Sequence, residues 1–101
     1  MAGTRKKTTK KTVKPGKDIV ESMVEDFKNK LVKTINRDIK ELVIDFKNIK
    51  TIDSTGLGLL IAARNSLDKT GGQLSLKNTP ENIYSLLQIM GLDGYFNISA
   101  A

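Results

Sequence analysis

The sequence predicts an α/β domain, and three observations carry that prediction. Ile19, Val20, Met23, Val24, Phe27, Leu31 and Ile35 recur at three- and four-residue steps, the period of one helix face. A short run, Glu41 to Phe46, is β-branched at Val43 and Ile44 and bounded by polar segments, which suits a buried strand. The order then repeats: a helical pattern after Ser54, an alternating run from Gln73 to Lys77, and a third helical pattern after Pro80. Helix, strand, helix, strand, helix in 101 residues leaves room for one domain, with strands joined by right-handed crossovers and helices packed on the sheet.

The elements follow in order. Residues 1–11 offer almost no apolar side chains and read as a basic, disordered tail, or at most an edge strand through Thr8, Thr9, Thr12 and Val13. Residues 12–101 then form the domain. Pro15-Gly16 breaks the chain. The first helix is predicted over 18–35, with Asp18 and Glu21 spaced as a capping box. The first strand is predicted over 41–46. The second helix opens at Ser54 or Thr55, spans 55–69, buries Leu57, Leu60, Ile61 and Leu67, and ends at Gly71-Gly72. The strand over 73–77 buries Leu74 and Leu76 on one face. Thr79-Pro80-Glu81 starts the last helix, 80–90, since threonine can cap and proline fits a first turn; it buries Ile83, Leu86, Leu87 and Met90 and stops at Gly91.

Composition excludes whole classes of function. The chain has no cysteine and no histidine, which removes disulfides, thiolate chemistry, most zinc sites and every catalytic arrangement built on an imidazole base. With no tryptophan, two tyrosines and three phenylalanines there is no aromatic platform for stacking bases. No apolar run approaches the ~18 residues of a membrane span, and no signal peptide is visible, so the reading is cytoplasmic. The net charge of +6 is a property of the front of the chain: Arg5, Lys6, Lys7, Lys10, Lys11, Lys14 and Lys17 stand there without an acid, while the remaining ten basic and eleven acidic side chains nearly cancel. Such a run is usually a solvated end; association with nucleic acid through it is a third-ranked reading and is not expected.

The richest stretch is Val43 to Leu60, VIDFKNIKTIDSTGLGLL. It places Ser54 between a strand and a helix, where unpaired backbone N–H groups and the helix dipole would tolerate an attached phosphate. On spacing alone, Ser54 reads first as a helix cap rather than a switch, Asp53 equally as a turn residue, and Gly56 and Gly58 as sites of close packing. Gly56-Leu57-Gly58 lacks the third glycine of a dinucleotide fingerprint, and no Walker lysine follows a glycine-rich loop. Asp45 and Asp53 do not read as a catalytic pair, and a nucleophilic Ser54 would lack a base, so no enzyme and no cofactor are expected.

Thr51-Ile52-Asp53-Ser54-Thr55-Gly56-Leu57-Gly58 resembles the signature of the STAS-domain family of bacterial anti-sigma-factor antagonists, whose members are phosphorylated on the serine after the aspartate. The resemblance runs from about residue 41 to 98, through Gly71-Gly72-Gln73-Leu74 and Gly91-Leu92-Asp93. It implies a small mixed sheet, antiparallel at its N-terminal edge and parallel elsewhere, with helices mainly on one face. It also implies a phosphoacceptor at Ser54, with Thr55 as the neighbouring alternative, and a partner surface at Gly16, Asp18, Asp53, Ser54, Thr55, Gly56 and Leu57. The implied partners are an anti-sigma factor that is itself a serine kinase, bound when Ser54 is unphosphorylated, and a serine phosphatase that resets the modified form. The alternative is an adaptor subunit of a signalling or membrane-transport assembly in which Ser54 is never modified. The chain departs from the family in front: members carry two strands before the first helix, whereas here only a short Lys- and Thr-rich segment precedes Asp18, and the acid of Gly16-Lys17-Asp18-Ile19 sits one position early.

Overall fold

Leu42 and Ile44 stand two residues apart and so share the face of an inner strand that meets the core, while Val43, also buried, points to the other face. In the computed structural model, which describes residues 10–16 and 18–100, that strand is β2, Glu41–Asp45. Around it stand β1, Lys10–Val13; α1, Val24–Thr34, entered by a 3-10 turn at Glu21–Met23; α2, Ser54–Asp68; β3, Gln73–Thr79; α3, Glu81–Ile89; and β4, Asn97–Ala100. The strands lie in the order β1-β2-β3-β4, and every pairing is parallel. Sequential order with right-handed crossovers keeps all the connecting helices on one face. Val13, Leu42, Ile44, Leu74 and Leu76 accordingly form one buried cluster with Phe27, Leu31, Leu57, Leu60, Leu67, Ile83 and Leu87.

Apart from buried Val43, the opposite face of the sheet is polar and internally bonded. Ser75 Oγ donates to Glu41 Oε2 at 2.7 Å, Lys10 Nζ stands 4.0 Å from Glu41 Oε1, and Asn97 Nδ2 donates to Gln73 Oε1 at 2.7 Å. The result is a one-sided sheet with the helix starts gathered at the carboxyl ends of the strands, where open parallel sheets place their functional loops.

The α/β class and the one-sided packing are as expected, and several details are corrected. The antiparallel edge is not found among the described residues; residues 1–9, where Thr8 and Thr9 fall, lie outside them. Lys10 and Lys11 belong to β1, not to a tail, since they pair with Glu41 and Leu42 through the backbone. The first helix begins later than 18: Ile19 is extended and bridges Ile52, and the Asp18–Glu21 capping box does not form. Thr79 is not a cap. It ends β3, 1% exposed, its Oγ1 lacking a partner, while Pro80 takes the cap position without a side-chain bond. Met90 is 51% exposed because α3 has ended at Ile89 and Gly91, at φ 72°, turns the chain away. β4 was not anticipated; only Ile98 in it is even half-buried.

Candidate functional site

The aspartate before α2 does the capping. Asp53 is the N-cap residue, extended at φ −105°, and its Oδ1 accepts from the Gly56 N–H at 2.9 Å. Its second oxygen, Oδ2, accepts from the Glu21 N–H at 2.9 Å, the first residue of the 3-10 turn that leads into α1. One carboxylate thus satisfies orphan donors at two helix starts that lie far apart in sequence. Those two N–H groups, Gly56 first and Glu21 second, hold the Asp53 carboxyl below its ordinary value.

Asp18 returns the favour in the other direction. Its Oδ1 accepts from the Lys50 and Thr51 N–H groups at 2.7 and 3.2 Å, so the loop after β1 clamps the loop after β2. Between the two clamps the backbones pair directly: Ile19 N–H donates to Thr51 O, and Asp53 N–H donates to Ile19 O, each at 3.3 Å. Gly56 lies beneath this crossing. A Cβ there would strike the Ile19 carbonyl oxygen and sit 2.8 Å from Ile19 Cγ2 and 2.9 Å from Ile52 Cγ1. A side chain is excluded at Gly56 by the neighbouring loop, whatever its own φ.

Two further bonds tie in the end of β3 and the first turn of α3. Asn82 Nδ2 donates to Lys50 O at 2.9 Å, and Asn78 Nδ2 donates to Asp45 Oδ1 at 2.8 Å. The Asn78 amide and then the Lys47 N–H hold buried Asp45 below its ordinary value, against the opposing effect of burial.

On this scaffold Ser54 and Thr55 are the first two residues of α2; both are exposed, and neither hydroxyl makes a hydrogen bond among the described residues. Ser54 is therefore not the cap, because the preceding aspartate already serves. Gly16, exposed at φ 73°, and Asp18 lie in the segment after β1, which meets this region through Asp18 at Lys50 and Thr51 and through Ile19 at Asp53; no contact of Gly16 with Ser54 is seen among the described residues. Gly56 is buried under Ile19, and Leu57, 4% exposed, points into the core, so their part is to set the position of the hydroxyls. Sequence reasoning missed Asn78 and Asn82, which carry no local motif. It also missed the use of Asp18 as a long-range clamp, since its spacing to Glu21 mimics a local cap.

The class defined here is a small α/β domain that carries two exposed hydroxyls, Ser54 and Thr55, on a helix start clamped by Asp53 and Asp18. The chain belongs to the STAS domain family, whose model matches residues 4–101. An anti-sigma-B factor antagonist of Bacillus subtilis is 38% identical over 60 residues, 59% of this chain. The chain spans 55% of that relative's length. Its fold is shared with a sulfate transporter family protein from Wolinella succinogenes, at a TM-score of 0.77 and 18% identity over 90% of this chain and 76% of that one. It is likewise shared with the anti-sigma factor antagonist SpoIIAA in its unphosphorylated form, at 0.69 and 16% identity over 96% of this chain and 84% of that one. The phosphorylated form of Bacillus SpoIIAA is matched at 0.68 and 19% identity over 93% and 86%. Among the described residues no helix is long and apolar enough to cross a membrane.

Proposed function

We propose that this domain is an anti-sigma-factor antagonist whose hold on its partner is switched by phosphorylation of Ser54. The observation that carries the reading is the division of labour at the start of α2: Asp53 caps, which leaves the Ser54 hydroxyl exposed and without a structural duty. A residue in that position can be modified without unfolding what holds it. The 38% identical relative, an antagonist by name, supports the same reading.

The physical effect of the modification follows from its place. A phosphate adds about −1.5 to −2 charge. The start of α2 offsets part of that, by about 0.3–2 kcal/mol at a helix N-terminus, while the neighbouring Asp53 carboxylate opposes it. These terms nearly cancel within the domain, so the fold stays as it is. At a contact with a partner the balance differs, because burying an unpaired charge costs several kcal/mol and each ~1.4 kcal/mol is a tenfold loss of affinity. Unmodified, the surface of Ser54 and Thr55, with Gly16 and Asp18, binds an anti-sigma factor with serine kinase activity. Phosphorylated, it releases that partner, and a serine phosphatase restores it.

The test is calorimetric titration of the anti-sigma factors of the chain's own cell with the parent, Ser54→Asp and Ser54→Ala. The expected result is retention by Ser54→Ala and at least tenfold weaker binding by Ser54→Asp. Equal binding by all three would instead favour the adaptor reading, in which the domain is a fixed subunit of a signalling or transport assembly.

A further inference from the structure

Helices α1 and α2 do not close against each other along their outer sides. They leave an open cleft of about 280 Å³, walled by Lys28 and Val32 of α1, by Ile35 just past its end, and by Leu59, Ala62 and Ser66 from α2. Val32 is 67% exposed and Ala62 is exposed as well, while Ile35 and Leu59 are half-buried. The wall contributed by α2 is continuous with the switch. Thr55, Leu59, Ala62 and Ser66 recur at steps of four, three and four residues, which is one helix face running from the cleft to the exposed hydroxyls. That face is about 16 Å long, three helical turns. Its outer shoulder is low, because Gly58, Ala62 and Ser66 are all small and a Cβ at Gly58 would meet nothing within 4 Å.

We infer that this cleft receives an amphipathic helix of the protein partner, whose aliphatic ridge lies along Val32, Leu59 and Ala62 and whose acidic side chain meets Lys28. The inference rests on the partner-switch reading above and adds the chemistry of the partner to it. Aliphatic side chains suit a wall that is apolar except for Lys28 and Ser66. The charge decides between occupants. Among the described residues Lys28 is the one ionised group in the wall, so a second copy docked about a two-fold axis would bring the two cleft lysines onto the same small patch. The chain's own N-terminal segment is a poor fit for the same reason: of residues 1–9 only Met1 and Ala2 are apolar, and Arg5, Lys6 and Lys7 would face Lys28. An acid-flanked aliphatic helix satisfies both features. Seated in the cleft, it ends beside Thr55 and Ser54, where a phosphate would meet it with like charge.

The test uses the isotope-labelled full chain, titrated with synthetic helical peptides of about four turns and followed by amide chemical shifts. One peptide carries a leucine ridge flanked by glutamates, the second has lysines in place of the glutamates, and the third is the first scrambled. The expected result is saturable shifts at Lys28, Val32, Leu59 and Ala62 with the glutamate peptide, about tenfold weaker binding of the lysine peptide, and inversion of that preference by Lys28→Glu. Val32→Glu changes an exposed side chain, leaves the fold intact, and should abolish the shifts. Equal binding of the first two peptides, shifts mapping away from the cleft, or no saturable binding at all would overturn the inference. Val32→Glu is then titrated beside Ser54→Asp against the anti-sigma factor. Loss with both supports cleft and switch together. Loss with Ser54→Asp alone overturns the cleft and leaves the switch standing, whereas loss with Val32→Glu alone keeps the cleft and removes the switch.

Discussion

Two glycines at the start of α2 should respond to the same substitution with opposite signs. At Gly56 an alanine methyl would collide with the Ile19 carbonyl and press on Ile19 Cγ2 and Ile52 Cγ1, at 2.8 and 2.9 Å. The obstacle is backbone, so relief means lifting the Ile19 segment off Ile52. That segment is held by two hydrogen bonds, Ile19 N–H to Thr51 O and Asp53 N–H to Ile19 O. Overpacking of this kind costs about 1–3 kcal/mol, and losing two bonds costs about 0.5–1.5 kcal/mol each. The helix gains only about 0.5–1 kcal/mol from replacing glycine by alanine. Gly56→Ala should therefore destabilise by about 1–5 kcal/mol, each kcal/mol being worth ~4–8 °C in Tm for a domain of this size. At Gly58 a Cβ meets nothing within 4 Å, so Gly58→Ala keeps the helix gain and should stabilise by about 0.5–1 kcal/mol. Urea unfolding followed by far-ultraviolet circular dichroism measures both, since the chain has no tryptophan to report by fluorescence. If Gly56→Ala is as stable as the parent, the crossing of the two loops over α2 is wrong, and the placement of Ser54 with it.

Ser54→Ala should change stability by less than about 0.5 kcal/mol, because Asp53 and not Ser54 caps the helix; a loss of a full cap's worth in thermal melts would reverse that assignment. Asp53 and Asp45 both have folded values below their ordinary ones, so each contributes stability above the ordinary carboxylate range, and that contribution is lost as pH falls through the lowered folded values. Urea midpoints should accordingly drop in acid, and Asp53→Asn should flatten the drop while lowering the midpoint at neutral pH. Asp18→Ala frees the Lys50 and Thr51 amides, whose hydrogen exchange should accelerate by at least tenfold while amides in β3 keep their protection. Val13→Ala should cost about 2 kcal/mol, since Val13 is the one buried side chain of β1; a neutral result would mean that β1 does not dock.

What was legible in the sequence depended on how much side chain each element buries. β2, β3 and the bodies of all three helices announce themselves through Leu42, Ile44, Leu74, Leu76, Phe27, Leu31, Leu57, Leu60, Ile83 and Leu87, because burial on one face imposes a period. The two edge strands do not. β1 buries only Val13 and β4 half-buries only Ile98, and both are held by backbone pairing to a neighbour that hydropathy cannot reveal. At the site, Asp53-Ser54-Thr55-Gly56 was readable as a helix start, but two adjacent residues that can both cap leave the capping role unassigned until the register is known. Asp18 misled for a related reason. Its three-residue spacing to Glu21 matches a local cap, while its carboxylate is engaged 32 and 33 residues away.

The most direct test of the switch is a phosphosite map of the chain purified from its own cells, growing and starved, by intact mass and fragmentation. The expected result is a single phosphate on Ser54 whose occupancy differs between the two conditions, carried by protein that melts as the unmodified form does. Protein that is unmodified in both conditions, or modified at Thr55 with Ser54 bare, would contradict it.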